Sequence, residues 1–394
     1  MSKLQELGAK GCAPWLDFVD RKFLEAKGLE KLVAEDGLTG VTSNPSIFEK
    51  AMGHGDAYDG TLGAFDKENP GAATIDRYEH LAIQDIKAAA ETLKPVYDRL
   101  DAKDGYVSLE VSPYIADDTD ATIAEAEKLW HAVDRPNLMI KIPGTDAGAP
   151  AISATIAKGI NVNVTLLFSQ DAYIKVAEAY VAGLEERAKA GQPIDRIASV
   201  ASFFISRIDS AIDKKIDERV GAGDAEADAL KAIRGKVAIA NAKMAYQWYL
   251  EFLKSDRWQA LAAKGAQPQR LLWASTGTKD PSYPDTLYVD TLIGPDTVNT
   301  MPPKTMDAFR DHGTVADTLT ADIDEARHVL AEADRLGLDL NDVTDTLVQE
   351  GVSHLLPNRG CAVRRLASQQ PLRTSSFIAL TTTTCNGASK QALT

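Results

Sequence analysis

The stretch Asn137-Leu138-Met139-Ile140-Lys141-Ile142-Pro143 decides how this chain is read. It is a short apolar run, bounded by Pro136 before it and Pro143-Gly144 after it, which is how a buried strand is punctuated. A strand apolar on both faces is what a parallel sheet covered by helices produces. One lysine sits in the middle. An ammonium in such a place is costly unless it finds a carboxylate or gives up its proton. A desolvated lysine amine is a nucleophile able to form a Schiff base with a ketone. The bland alternative is a lysine whose stem lies on apolar surface with its head in water.

Other stretches repeat the strand pattern, with helical spacing between them. Strands are expected at Trp15–Val19, Leu38–Ser43, Tyr106–Val111, Ile160–Phe168, Ile197–Phe203, Arg270–Ser275 and Leu287–Asp290. Helical periodicity fills Asp20–Asp36, Ile75–Leu100, Ala116–Val133, Gln170 to about Ala190 behind the cap Ser169, and a long region from about Ser206 through Leu253. Helices are also expected near Lys304–Arg310, Ala321–Leu336 and Asp342–Glu350. Eight short strands separated by helices fit an α/β (β/α)8 TIM barrel with additional helices. A doubly wound open sheet is the runner-up, but no glycine-rich phosphate turn follows the first strand, where Val19-Asp20-Arg21-Lys22 stands.

Side chains two apart on a strand share a face. Polar residues recur at such positions, mostly near the C-terminal ends: Asp17; Thr42 and Asn44; Ser108, Glu110 and Ser112; Lys141; Asn163 and Thr165; Ser202; Ser275. In a barrel the outer faces pack under helices, so this polar series points inward and converges at the C-terminal mouth, where barrel enzymes keep their active sites. One such residue is usually a satisfied core hydrogen bond. So many together are hard to explain as packing, and they tip Lys141 toward function. Glu110 or Asp17 would move protons. The hydroxyls and amides of Thr165, Asn44, Asn163, Ser202 and Ser275 would hold substrate hydroxyls and a water. Arg207 and Lys279, after the sixth and seventh strands, are candidates for a phosphate, the first through a fork of donors. Taken singly, either reads equally as surface charge.

Composition bounds the partners. The chain has 394 residues, 44% hydrophobic and 25% charged, with a net charge of −14. That balance disfavours nucleic acid but leaves room for a small basic pocket holding an anionic substrate. No apolar run is long enough to cross a bilayer, the N-terminus lacks the apolar core of a signal peptide, and Cys12, Cys361 and Cys385 have no metal or disulfide spacing, which points to a reducing cytoplasm. Cys12 reads as a small hydrophobe or an exposed thiol. The six scattered histidines show no ligand spacing, and the aromatic run Tyr246–Phe252 reads as core or subunit packing.

At this point the sequence resembles transaldolase. The resemblance rests on Gly40-Val41-Thr42-Ser43-Asn44-Pro45-Ser46-Ile47-Phe48, on Leu138–Pro143, on Asn161–Ser169, on Ala274–Pro281 and on Asn299-Thr300-Met301-Pro302-Pro303, and it covers roughly residues 12–350. It is nearest to the longer bacterial branch, some of whose members are fused to a glucose-6-phosphate isomerase domain. The family implies transfer of a dihydroxyacetone unit from sedoheptulose 7-phosphate to glyceraldehyde 3-phosphate, without metal or organic cofactor. The protein is expected to be a cytoplasmic monomer or homodimer. By motif match, Lys141 is the Schiff-base residue, Glu110 the acid/base acting through a water held with Thr165, and Asp17 the acid/base of carbon–carbon cleavage. Asn44, Asn163 and Ser202 bind substrate hydroxyls, while Arg207 and Ser275 bind phosphate. Where some relatives carry a second phosphate arginine, this chain has Thr276-Gly277-Thr278-Lys279, and Lys279 is the candidate in its place. The competing readings are an aldolase cleaving fructose 6-phosphate, a non-catalytic sugar-phosphate-binding barrel, and a metal-dependent aldolase.

The end of the chain reads differently. From Gly351 to Thr394 there is no Asp or Glu, there are five basic residues, and Ser and Thr are abundant. The division expected is a barrel over 1–350 and an atypical tail over 351–394. The tail is read as frameshifted or otherwise non-native, largely disordered, and too short for an isomerase domain. Fast amide exchange across residues 360–394 is expected. Strong protection there would overturn this reading.

Overall fold

In the computed structural model, which describes residues 1–53 and 56–353, eight parallel strands close on themselves in chain order. They are β1 (Cys12–Asp17), β2 (Gly40–Thr42), β3 (Tyr106–Glu110), β4 (Leu138–Pro143), β5 (Val162–Leu167), β6 (Ser199–Phe204), β7 (Arg270–Ala274) and β8 (Thr297–Met301). The last pairs with the first through Cys12–Leu16 against Thr297–Met301, so the sheet has no edge. Helices such as Thr74–Arg99, Thr119–Val133 and Gln170–Lys189 cover it, the last capped by Ser169 Oγ accepting from Ala172 N at 3.1 Å. The fold is the expected (β/α)8 barrel.

One strand is not where periodicity places it. Leu287–Asp290 is a single helical turn, closed by Asp290 N donating to Thr286 O at 2.9 Å and by Thr286 Oγ1 donating to Asp290 Oδ2 at 2.8 Å. Four residues are too few for a helical and a strand period to differ. The true β8 is Thr297-Val298-Asn299-Thr300-Met301, polar at alternate positions yet wholly buried. The long helical region expected from Ser206 through Leu253 is made of three helices, Ser206–Gly221, Ala227–Ile233 and Val237–Phe252. Residues 340–353 form a last helix that runs across the boundary expected at 350, and the rest of the tail lies outside the described residues.

The alternation along the strands sorts side chains into two cores. Leu16, Val41, Val107, Leu109, Ile140, Ile142, Val162, Val164, Phe203 and Trp273 belong to the large layer between barrel and helices. Trp15, Tyr106, Met139, Val200, Leu272 and Val298 form a separate cluster inside the barrel. The aromatic run contributes to the outer layer, with Trp248 stacked on Phe252 at 5.1 Å and Tyr246 on Tyr249 at 5.7 Å. Cys12 is buried and free, and burial pushes its thiol up to about 11, so it acts as a small hydrophobe.

Polar contacts hold the interior at its N-terminal end. Asp104 Oδ1 accepts from Trp15 Nε1 at 2.9 Å, and its Oδ2 accepts from Thr39 Oγ1 at 3.0 Å and Arg270 Nη1 at 3.2 Å. Trp15 fills the barrel axis because its register neighbour, Gly40, has no side chain: a Cβ there would stand 2.2 Å from the indole. Gly40→Ala is therefore expected to destabilise the protein by about 1–3 kcal/mol through overpacking, measured as a lowered urea midpoint. Gly60→Ala, in the helix Asp59–Glu68 with open space around its Cβ, serves as the control that should not lower the midpoint. A Gly40→Ala midpoint equal to wild type would contradict this packing.

Candidate active site

On six strands the inward position one pleat beyond mid-barrel is polar. Trp15 is followed by Asp17, Gly40 by Thr42, Ser108 by Glu110, Met139 by Lys141, Asn163 by Thr165, and Val298 by Thr300. These groups floor a pocket of about 540 Å³ at the C-terminal mouth. Of the expected site residues, Lys141, Glu110, Asp17, Thr165, Asn44, Ser202, Arg207, Ser275 and Lys279 all line it. Asn163 does not; it is fully buried just beneath.

Glu110 and Lys141 are register neighbours on β3 and β4. Lys141 Nζ lies 3.3 Å from Glu110 Oε2, with the two side chains 8% and 4% exposed. It also donates to the carbonyl of Ser43 at 3.3 Å. The buried ammonium has thus found its carboxylate, as the cost of desolvation requires. Thr165 follows on β5, where Pro143 of β4 is its register partner.

Asp17 reaches the pocket from β1, next to Thr42 of β2. Protein packs around it on its other sides, and that burial pushes its carboxyl above the usual range, against the opposing pull of Lys141, the Thr42 hydrogen bond and Arg207. Thr42 Oγ1 donates to Asp17 Oδ1 at 2.7 Å and lies 2.7 Å from Thr300 Oγ1. A hydroxyl has one proton to give, so Thr300 donates to Thr42, which donates to Asp17. The two hydroxyls form a relay aimed at one carboxylate.

Below the floor, Asn163 Nδ2 donates to Ser108 Oγ at 3.0 Å and its Oδ1 accepts from Ser202 Oγ at 2.7 Å. Ser202 has therefore committed its proton downward and offers lone pairs to the pocket. Asn163 orients Ser202 rather than facing the pocket itself.

The far side of the mouth is cationic. The β6–β7 ladder continues past the strands, Ile205 N donating to Ala274 O at 3.0 Å and Ser206 N to Ser275 O at 3.1 Å. This stitches the start of the Ser206–Gly221 helix to Ser275, whose Oγ lies 2.9 Å from Ser206 Oγ. Ser275 holds φ +55, and Leu166 at the β5 bulge holds φ +60, left-handed conformations that cost about 1–3 kcal/mol each for such residues. Arg207 lies over the Phe204 ring at 5.1 Å, and burial weakens its hold on its proton. Lys279 and Lys50 line the pocket without an ion pair among the described residues.

Sequence reasoning did not single out Lys50, Thr300, Phe18 or Phe204 as site residues. Lys50 was open to discovery, since it follows Ser46 and Ile47 at helical spacing in the helix Pro45–Gly53. Thr300 was hidden by the misplaced eighth strand.

The family model described as Transaldolase/Fructose-6-phosphate aldolase matches residues 14–355. A protein named Transaldolase from Thermobifida fusca is 48% identical over 369 residues, 93% of this chain and 98% of its own length. Transaldolase 2 from a Nostoc species is 50% identical over 359 residues, 90% of this chain and 93% of its own. Transaldolase 2 of Streptomyces coelicolor is 45% identical over 372 residues, 92% of this chain and 98% of its own. With a match along nearly the whole described barrel and relatives covered almost end to end, the chain belongs to the transaldolase/fructose-6-phosphate aldolase family.

Proposed function

We propose that the chain is a transaldolase of the pentose phosphate pathway, moving a dihydroxyacetone unit from sedoheptulose 7-phosphate to glyceraldehyde 3-phosphate through a Schiff base on Lys141. The carrying observation is the buried Lys141–Glu110 pair, 3.3 Å apart on the floor of a pocket whose far rim is cationic. The names of the relatives support transfer over simple cleavage. A binding barrel would have no use for an amine, a carboxylate partner and a second carboxylate held together in a desolvated floor.

Each group has a step. Transfer of the Lys141 proton to Glu110 frees the amine, which adds to the ketone carbon of the donor. Glu110, through a water held with Thr165, returns protons as the carbinolamine loses water to give the protonated imine. Asp17 takes the proton of the hydroxyl on the fourth carbon. The bond between the third and fourth carbons breaks, its electron pair flows into the imine, and erythrose 4-phosphate leaves. The same electrons then attack the acceptor aldehyde, Asp17 returns its proton to the new hydroxyl, and water releases fructose 6-phosphate from Lys141. Asn44 and Ser202 hold substrate hydroxyls, with Asn163 orienting Ser202. Arg207, Ser275 and Lys279 take the phosphate at the helix start, where backbone N–H groups and the helix dipole also favour an anion. We assign the catalytic barrel to a region that includes residues 1–353, since the last helix crosses the boundary at 350 and Gly351 lines the pocket, and the protein to the cytoplasm.

Borohydride reduction in the presence of fructose 6-phosphate should leave a dihydroxyacetone-sized adduct on Lys141, located by peptide mass mapping. Lys141→Ala should lose turnover by more than about 10³-fold while remaining folded by circular dichroism. An adduct on another lysine, or retained turnover, would sink the mechanism. Thr42→Val tests the proton role of Asp17 separately. It removes a hydrogen bond that favours the carboxylate, so the raised Asp17 pKa rises further. The acid limb of the kcat profile should then move to higher pH; a limb that stays in place would remove Asp17 from the proton transfer.

A further inference from the structure

The two cations assigned to the phosphate stand on different elements. Arg207 is in the first turn of the Ser206–Gly221 helix, and Lys279 is in the loop after β7. Loop-borne charges hold a fixed spacing only when something braces them, and a network lies directly behind this part of the pocket.

Asp209, Asp213 and Asp217 recur every four residues on the Ser206–Gly221 helix and so share a face. Asp209 accepts from Ala238 N at 2.8 Å and Tyr288 OH at 2.9 Å. Asp213 accepts from Gly235 N at 3.0 Å and Tyr283 OH at 2.7 Å. Asp217 takes the Arg234 fork, Nε at 2.8 Å and Nη2 at 2.9 Å. The same guanidinium crosses to the β7 loop. Its Nη2 donates to Asp280 Oδ2 at 2.7 Å, its Nη1 donates to Tyr283 OH at 2.6 Å, and it lies 5.3 Å from the Tyr283 ring centroid. Asp280, the residue next to Lys279, uses its other oxygen to fix the turn, accepting from Ser282 N at 2.8 Å and Ser282 Oγ at 2.7 Å.

Arg234 is therefore bonded to the helix that carries Arg207 and to the residue beside Lys279. It does not line the pocket; it lines a cleft of about 610 Å³ behind it, which shares Lys279 with the pocket. Gly235 lets the clamp close, since it holds φ +71 and a Cβ there would meet the Tyr283 ring at 2.6 Å. A planar fork suits this task, because it engages two carboxylates and a phenol at once where an ammonium is a point charge.

We infer that Arg234 is a positioning residue for the phosphate subsite: by clamping Asp217 to Asp280 it sets the spacing between Arg207 and Lys279, and with it the affinity for phosphorylated sugars. This rests on the phosphate reading given under Proposed function.

The test compares Arg234→Met, Arg234→Lys and Asp280→Asn with wild type, using fructose 6-phosphate and unphosphorylated fructose as donors and inorganic phosphate as a competing anion. Asp280→Asn releases the clamp from its other end and serves if Arg234→Met does not fold. In Arg234→Met, KM for fructose 6-phosphate and the inhibition constant of phosphate should each rise about tenfold. Both kcat and the KM for fructose should stay within about twofold. Arg234→Lys should recover part of the loss, and Arg234→Met combined with Asp280→Asn should be no worse than either alone. A wild-type phosphate inhibition constant in both single variants would overturn the clamp and leave the phosphate reading intact. So would an equal loss on both donors, which marks a purely structural role. Failure of phosphate to compete in the wild type would overturn the phosphate reading itself, and the inference with it.

Discussion

An ammonium and a carboxylate 3.3 Å apart, each less than a tenth exposed, set the terms for the barrel around them. Removing such ions from water costs several kcal/mol apiece even after relaxation, and their mutual attraction repays it only where neighbouring dipoles help. The neighbours are there. The Ser43 carbonyl accepts from Lys141, and hydroxyl-bearing residues from β2, β5 and β8 surround the floor. A closed barrel is well suited to this because its inward rows from every strand meet on one axis. Placed on an outward row, Lys141 would lie among the Leu, Ile and Val of the helix layer.

The same geometry separates stability from chemistry within a few ångströms. One pleat is about 6.6 Å of strand for two residues, and over that distance Trp15 gives way to Asp17 and Met139 to Lys141. Beneath the change lie the indole over Gly40 and the Asp104–Arg270 cluster at the N-terminal end. Above it lie the ionisable groups of the pocket, Asp17, Glu110 and Lys141. Asn163 sits at the seam, where its amide fixes Ser202 from below. The backbone departures at Leu166 and Ser275 fall on the upper side, as expected where a barrel hosts function on one face and stability on the other.

How much of this was legible follows from which signals are local. The strand around Lys141, the alternation of polar residues and the helix cap Ser169 are written in adjacent residues, and all are found in the structure. The inward sense of the polar series followed from one global fact, closure of the sheet. The eighth strand was misread because Thr297–Met301 is polar and Leu287–Asp290 is apolar. A strand whose inner row carries Thr300 into a site and whose Asn299 accepts from Thr276 does not look like core. That error also concealed the Thr300–Thr42–Asp17 relay, which no spacing rule links across more than 250 residues of chain. The Arg234 clamp was hidden for a similar reason: its partners, Asp217, Asp280 and Tyr283, come from separate segments.

The division of labour between strands and loops follows from the distance dependence of the forces involved. Attack of an amine on a carbonyl needs reacting atoms about 3–3.5 Å apart with orbitals aligned, and a displacement of 1 Å can cost 10²-fold. In the mechanism proposed here the groups with that requirement are Lys141, Glu110 and Asp17, and they stand on strands locked by neighbours on both sides. Attraction between a cation and a phosphate falls only as the inverse of distance, so the two cations proposed for the phosphate, Arg207 and Lys279, can stand on a helix and a loop beyond the strand ends. Tolerance has a limit, however. A loop cation that wanders by several ångströms loses its hydrogen-bonding geometry with the anion and keeps only a screened charge. Bracing the loop to the helix from behind, outside the pocket, restores that geometry without placing another charge beside the buried Lys141–Glu110 pair.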